Sequence, residues 1–201
     1  MIEIVLASAS PRRTELLNTI KLPFTHHPSD FKELNELETP EALVSHNAFG
    51  KAQNVARHYR EALIIGVDTV GSFQNQIINK PKDDEDAARI LRLLSNTTHE
   101  VVSAITIFNS KTKKNVTAVE TTKVTFQRLS EAEIAKYIAS GEGADKAAGY
   151  AIQGLGALFI KGIEGDYFNV VGMPLHLLKN LLKEFGVKLG RAGRSPSVWC
   201  K

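Results

Sequence analysis

The chain has 201 residues, 43% of them hydrophobic, with a formal net charge of +3 and one cysteine, Cys200. That length and apolar content suffice for a substantial core, either in one large domain or in two small lobes sharing a cleft. The chain has no block of like charges, no apolar run approaching about eighteen residues and no second cysteine. These absences argue against a nucleic-acid arm, a membrane span and a disulfide or multi-cysteine metal framework, and favour a cytoplasmic protein.

Ile2, Ile4, Val5 and Leu6 form an apolar run of strand length, followed by the small-residue turn Ala7-Ser8-Ala9-Ser10 and then Pro11-Arg12-Arg13. Ser10 suits a helix N-cap and Pro11 the first helical position, so both arginines fall in the first turn beside N–H groups that lack helical partners. Cations are unfavourable at that end of a helix unless an anion joins them. The stretch therefore reads either as an anion-holding turn or as an ordinary capped helix with two hydrated arginines. Leu16, Leu17 and Ile20 mark the inner face of this helix. Residues 21–27 predict a short strand on which the adjacent His26 and His27 point to opposite faces, a poor geometry for joint metal ligation. Both histidines read as structural or solvated. Asp30 and Glu33 follow in a polar loop from which a cleft is within reach.

Thr39-Pro40 repeats the cap-then-proline start and opens a helix predicted to reach about Arg60, with Val44, Ala48, Lys51, Val55 and Tyr59 on one face. Lys51, flanked by apolar neighbours, either snorkels to water or is a cation held at the edge of a pocket, facing a phosphate. Residues 62–70 are the strongest strand in the chain, and Asp68, near its carboxyl end, is the only ionisable group there. A lone carboxylate in a buried strand must be paired, hydrogen-bonded or metal-bound. Ligands also collect at the carboxyl ends of strands in open α/β sheets, which makes Asp68 the leading candidate for chemistry. A hairpin through Asn75-Gln76 then leads to a strand ended by Pro81, leaving Lys80 at its rim.

Residues 83–95 read as an amphipathic helix, and residues 101–108 and 116–126 as two long strands joined by a basic, solvated turn. Ser130 and Glu133 form a capping box for a helix that stops at Gly141. Residues 141–172 are glycine-rich and carry Asp145, Lys146, Gln153, Glu164 and Asp166. A last helix spans 174–185 with Leu175, Leu178, Leu181 and Leu182 inward, so the folded domain is expected over 1–186 and a loose tail over 187–201. Helices alternate with strands, but the hairpin and the meander-like pair predict an α/β fold with a mixed twisted sheet.

Arg12, Arg13, Lys51 and Lys80 supply cations, and Glu33 and Asp68 carboxylates, within the first eighty residues. A triphosphate bound with a divalent metal needs this mixture of cations and hard oxygen ligands. No P-loop and no glycine-rich dinucleotide fingerprint is present. Residues alone lead to a phosphate-binding α/β protein.

The segments Leu6-Ala-Ser-Ala-Ser-Pro-Arg-Arg13, Lys51-Ala52, Gly66-Val67-Asp68-Thr69-Val70, Lys80-Pro81, Asp145-Lys146-Ala147, Ile152-Gln153-Gly154 and Glu164-Gly-Asp-Tyr-Phe-Asn-Val-Val-Gly172 together resemble the Maf family of nucleoside triphosphate pyrophosphatases. The resemblance runs in order from about residue 2 to 183. It implies a two-lobed, elongated fold with a central cleft, similar to the inosine-triphosphate pyrophosphatases, and often a homodimer. It also implies a divalent cation (magnesium, manganese or cobalt) and release of pyrophosphate from a nucleoside triphosphate. Thr69 and Gln153 resemble the branch acting on dTTP and UTP. Carried onto this chain, the pattern implies that Asp68 accepts a proton from the attacking water and that Glu33 joins it as a metal or water partner. Arg13, Lys51 and Lys80 would hold phosphates, with Ser8 among the substrate contacts, and Arg12, Thr69 and Gln153 would shape base selection. Two departures stand out: Asn79 replaces the family's usual glycine before Lys80-Pro81, and Ala147-Ala148-Gly149-Tyr150-Ala151 differs from the common Ala-Gly-Ala-Tyr-Gly. Rival readings are an aspartyl-phosphate phosphatase, against which Val70 stands where a second aspartate is normal, and a non-enzymatic nucleotide-binding regulator of cell division.

Overall fold

In the computed structural model, residues 2–189 are described; Met1 and residues 190–201 fall outside the description. The apolar runs become strands β1 (Glu3–Leu6), β2 (Thr25–His26), β3 (Ala62–Phe73), β4 (Gln76–Ile78), β5 (Thr98–Asn109), β6 (Asn115–Phe126) and β7 (Ile160–Glu164). The helices are α1 (Pro11–Thr19), α2 (Pro40–Ala56), α3 (Asp84–Leu94), α4 (Glu131–Ala139), α5 (Tyr167–Val171) and α6 (Leu175–Glu184). One mixed sheet orders the strands β2-β1-β3-β5-β6-β7, with β4 also on β3. β1 runs parallel to both β2 and β3, and the remaining pairs are antiparallel.

β3 organises this sheet. On one side it pairs with β5 from Leu63 to Ser72. On the other it pairs with β1 from Ala62 to Ile65 and with β4 from Gly71 to Phe73. Between β1 and β4, from Gly66 to Val70, the strand has no ladder neighbour on that side, and a cleft opens there. One apolar core gathers β1, α1, the first half of β3 and α6, with Leu6, Leu17, Ile65 and Leu182 fully buried. A second gathers β4, α3, α4 and the far ends of β5 and β6 around Leu91, Leu94, Val124 and Phe126. β3, β5 and β6 run through both.

Two glycines set how α2 meets its neighbours. A methyl group at Gly66 would collide with the Ala48 carbonyl oxygen and stand 2.9 Å from Ala52 Cβ, so β3 approaches α2 this closely only without a side chain. On the same helix, Gly50 leaves room for the Phe31 ring, which brings the loop after β2 across α2.

Several boundaries differ from expectation. α2 ends at Ala56, where the chain leaves the helix through a turn closed by His58 N–H to Val55 O. The hairpin turns at Gln74-Asn75, both left-handed (φ 52° and 64°), the two-residue geometry that matches strand twist. β2 has only two residues at the sheet edge, and the glycine-rich stretch contains β7 and α5. Val187, expected in a loose tail, is buried and bonds through its N–H to Leu182 O. The rest of that expected tail, from 190, lies outside the described residues.

Candidate active site

Asp68 sits in the ladder gap of β3 and is 6% exposed. Both of its oxygens are held: Oδ1 by the Lys51 ammonium at 2.7 Å and Oδ2 by the Asn47 carboxamide at 3.0 Å. Lys51 and Asn47 lie one turn apart on α2, on the face that Gly66 admits to β3. The Lys51 ammonium also reaches Glu33 Oε1 at 3.0 Å and Val67 O at 3.3 Å. Lys51 is thus no snorkelling surface lysine. It is buried, and it bridges the two carboxylates singled out from sequence.

The Val67 carbonyl, which lacks a strand partner, also accepts from Arg13 Nη1 at 2.9 Å. Arg13 further donates to Gly172 O (2.9 Å) through Nε, to Ser8 Oγ (3.0 Å) through Nη1 and to Thr69 Oγ1 (3.1 Å) through Nη2. Burial lowers the pKa of this guanidinium while Asp68 and Glu33 hold it up. Most of its donors are committed to protein oxygens, so Arg13 stitches α1, β3 and the turn after α5 together along the cleft wall. Arg12, its neighbour, is only half-buried, and its buried Nε has no hydrogen-bond partner among the described residues. Burial lowers the Arg12 pKa, opposed by the charge of Asp145. Ser10 occupies the N-cap position of α1 but makes no side-chain cap bond. Its N–H instead meets Ser8 Oγ at 3.2 Å, so the first turn of α1 faces the cleft uncapped.

The cleft measures about 1400 Å³ and is lined by Ser8, Arg12, Arg13, Glu33, Lys51, Asp68, Thr69, Lys80 and Gln153, every site residue expected from sequence. Lys80 and Gln153 are exposed on its walls. Gln153 rides on a loop fixed by Glu142, whose carboxylate accepts from the Leu155 and Gly156 N–H groups at 2.9 Å each. The Thr69 hydroxyl shares a 2.8 Å bond with Ser103 and belongs to the wall network as much as to the opening. His26 and His27 are structural, bonded to Ser8 O at 2.6 Å and to the Tyr59 hydroxyl at 2.9 Å. Asn79 donates to Asn35 O at 3.0 Å, fastening the rim that carries Lys80 to the loop opposite.

Sequence reading missed Asn47. Its only signal was a carboxamide one turn before Lys51, beside Val44 and Ala48 on a face that is otherwise buried and apolar.

Fold and site together define a cleft-bearing mixed α/β protein in which paired carboxylates and several cations face one opening. The chain belongs to the Maf family: the family model described as Maf-like protein matches residues 3–185. A relative from Dictyoglomus turgidum, named dTTP/UTP pyrophosphatase, is 46% identical over 93% of this chain and 98% of its own. A second of that name, from Ruminiclostridium cellulolyticum, is 44% identical over 94% of this chain and 99% of its own. Among solved structures, a HAM1 protein from Coxiella burnetii aligns at 14% identity with a TM-score of 0.49, covering 92% of this chain and 100% of that one. That likeness is too distant to bear on activity.

Proposed function

We propose that the protein hydrolyses nucleoside triphosphates, dTTP and UTP above all, to the monophosphate and pyrophosphate. The observation that carries this reading is the Asp68–Lys51–Glu33 group in the ladder gap, opening onto a cleft whose rim and walls bear Arg12 and Lys80. Nearly full-length similarity to relatives named for that activity supports it.

A divalent cation suits the donor set. Asp68 and Glu33 offer hard carboxylate oxygens that already share one positive charge, the Lys51 ammonium. Among the described residues no cluster of three or more His, Cys, Asp or Glu side chains is present. Magnesium, manganese or cobalt would be held there by one or two carboxylates together with substrate phosphates. Asp68 and Glu33 would hold it. When bound, such an ion neutralises phosphate charge and lowers the pKa of water.

The chain's own groups do the rest. Asp68 takes the proton as water adds to phosphorus and the anhydride bond to pyrophosphate breaks. Lys51 keeps Asp68 oriented and lends charge to the phosphates, Lys80 contacts them from the opposite rim, and the uncapped first turn of α1 favours negative charge nearby. Arg12 and Gln153, which line the cleft, meet the base, and Thr69 shapes the wall there. The reading includes a cytoplasmic location, supported by the single cysteine; no helix among the described residues is long and apolar enough to cross a membrane. It also includes a homodimer, supported by exposed Leu158, Ile163 and Tyr167 near the edge strand β7.

The test is a panel of nucleoside triphosphates with magnesium, manganese or cobalt. Pyrophosphate release should be fastest with dTTP and UTP and should stop in excess chelator. Release of inorganic phosphate alone would instead favour an aspartyl-phosphate phosphatase.

A further inference from the structure

Residues 27–38, between β2 and the N-cap of α2, contain no helix or strand, so side-chain anchors must fix where Glu33 stands. Near the start of this segment, Asn54 Oδ1 accepts from the Ser29 hydroxyl (2.9 Å) and the Asp30 N–H (3.2 Å). The Phe31 ring then packs over Gly50, and the next hydrogen-bonded anchor is Asn47, 2% exposed. Its Oδ1 accepts from the Leu34 N–H at 3.0 Å, while Nδ2 donates to Leu34 O at 3.0 Å and to Asp68 Oδ2 at 3.0 Å. Only this orientation of the carboxamide gives its acceptor to a donor and both its donors to acceptors.

We propose that Asn47 is a positioning residue for the reaction: by binding both backbone polar groups of Leu34 and one oxygen of Asp68, it sets the spacing between Glu33 and Asp68. A buried carboxamide beside fully buried Leu43, Val44 and Ala48 costs stability unless all its bonds are made, and here they are. Lys51 ties the same two carboxylates electrostatically, but Glu33 is half exposed and a long flexible ammonium does not fix its backbone. Asn47 fixes the backbone. The inference rests on the reading of Asp68 and Glu33 as the metal- and water-facing pair.

The test uses three variants of the full chain. Asn47→Leu removes all three bonds. Asn47→Asp keeps size and the acceptor for the Leu34 N–H but can donate to neither Leu34 O nor Asp68. Asn54→Ala loosens the start of the same segment without touching Asp68. Each is measured for thermal unfolding, hydrogen exchange at the Leu34 amide, manganese affinity by paramagnetic resonance with a non-hydrolysable dTTP analogue, and kcat and KM for dTTP. Asn47→Leu should lose Leu34 protection and bind manganese more weakly, and kcat should fall at least about tenfold in both Asn47 variants while KM for dTTP changes little. Asn54→Ala should keep kcat near wild type.

Wild-type manganese affinity and kcat in a folded Asn47→Leu protein with an exposed Leu34 amide would overturn the proposal. An equal loss of kcat in Asn54→Ala would overturn it too, by showing that any ordering of the segment suffices. If Asn47→Leu does not fold, an unchanged kcat in Asn47→Asp overturns it. A wild-type protein that fails to hydrolyse dTTP would fail the functional reading, and the exchange and manganese arms would still decide the role of Asn47.

Discussion

Arg12 and Arg13 are sequence neighbours with different work. Adjacent residues on a helix point about 100° apart, so one arginine of the pair turns into the protein and bonds four oxygens while the other faces the cleft. Sequence located both in the first turn of α1, but not which one enters the wall, because that depends on how α1 packs on β3. Asp68 was legible because an isolated carboxylate in an apolar strand demands partners; Asn47 was not, because a single carboxamide on a helix face makes no such demand until its partners are known. Asp68→Asn should lower kcat by at least about 10²-fold with folding intact, measured as pyrophosphate release beside thermal unfolding. Near-normal turnover in a folded variant would leave Glu33 as the base. The two lysines separate by burial. Lys51→Ala leaves Asp68 and Glu33 without their shared counter-charge, so it should lose turnover and also about 3 kcal/mol of stability in denaturant unfolding. Lys80→Ala should unfold like wild type yet lose roughly 1.5 to 3 kcal/mol of transition-state binding, read from kcat/KM.

At the scale of elements, the contact between α2 and β3 places Lys51 and Asn47 on Asp68. It exists because Gly66 lacks a side chain. Gly66→Ala should force α2 off β3 by overpacking, costing roughly 1 to 3 kcal/mol and lowering kcat. Unchanged unfolding and turnover would mean that the contact has slack. Two of the expected caps were legible, the Thr39 cap of α2 and the Ser130–Glu133 capping box, whereas the side-chain cap expected from Ser10 does not form. β7 and α5 were not legible, because the glycines around them read as turns. β7 is instead held by pairing across to β6, and α5 by Asp166 capping the Phe168 and Asn169 N–H groups. Both are contacts between parts of the chain that periodicity alone does not link.

At the scale of the whole molecule, one contribution to the pH dependence of stability comes from His99 in the second core, 1% exposed, bonded to the Tyr150 hydroxyl at 2.9 Å and packed edge-on against Phe126. Burial pulls its pKa from 6.5 down to about 4. The unfolded chain therefore takes up a proton that the folded one refuses. The stability His99 contributes is fully present above pH 6.5 and is lost as pH falls towards 4, by about 3 kcal/mol in all. Denaturant unfolding at pH 7 and pH 4 should show that loss, and His99→Gln should flatten it; an equal slope in both proteins would place the acid sensitivity elsewhere. The mixed sheet was legible from the order of strands and hairpins. The resemblance implied a cleft but not its place, which is set where β1 stops and β4 has yet to begin along β3, a matter of register. Everything proposed about that cleft meets in one measurement: phosphorus NMR of dTTP incubated with the protein and magnesium. The account predicts that the triphosphate resonances give way to dTMP and pyrophosphate in equal amounts, with no orthophosphate. Orthophosphate with dTDP, or an unchanged spectrum at every metal tried, would contradict it.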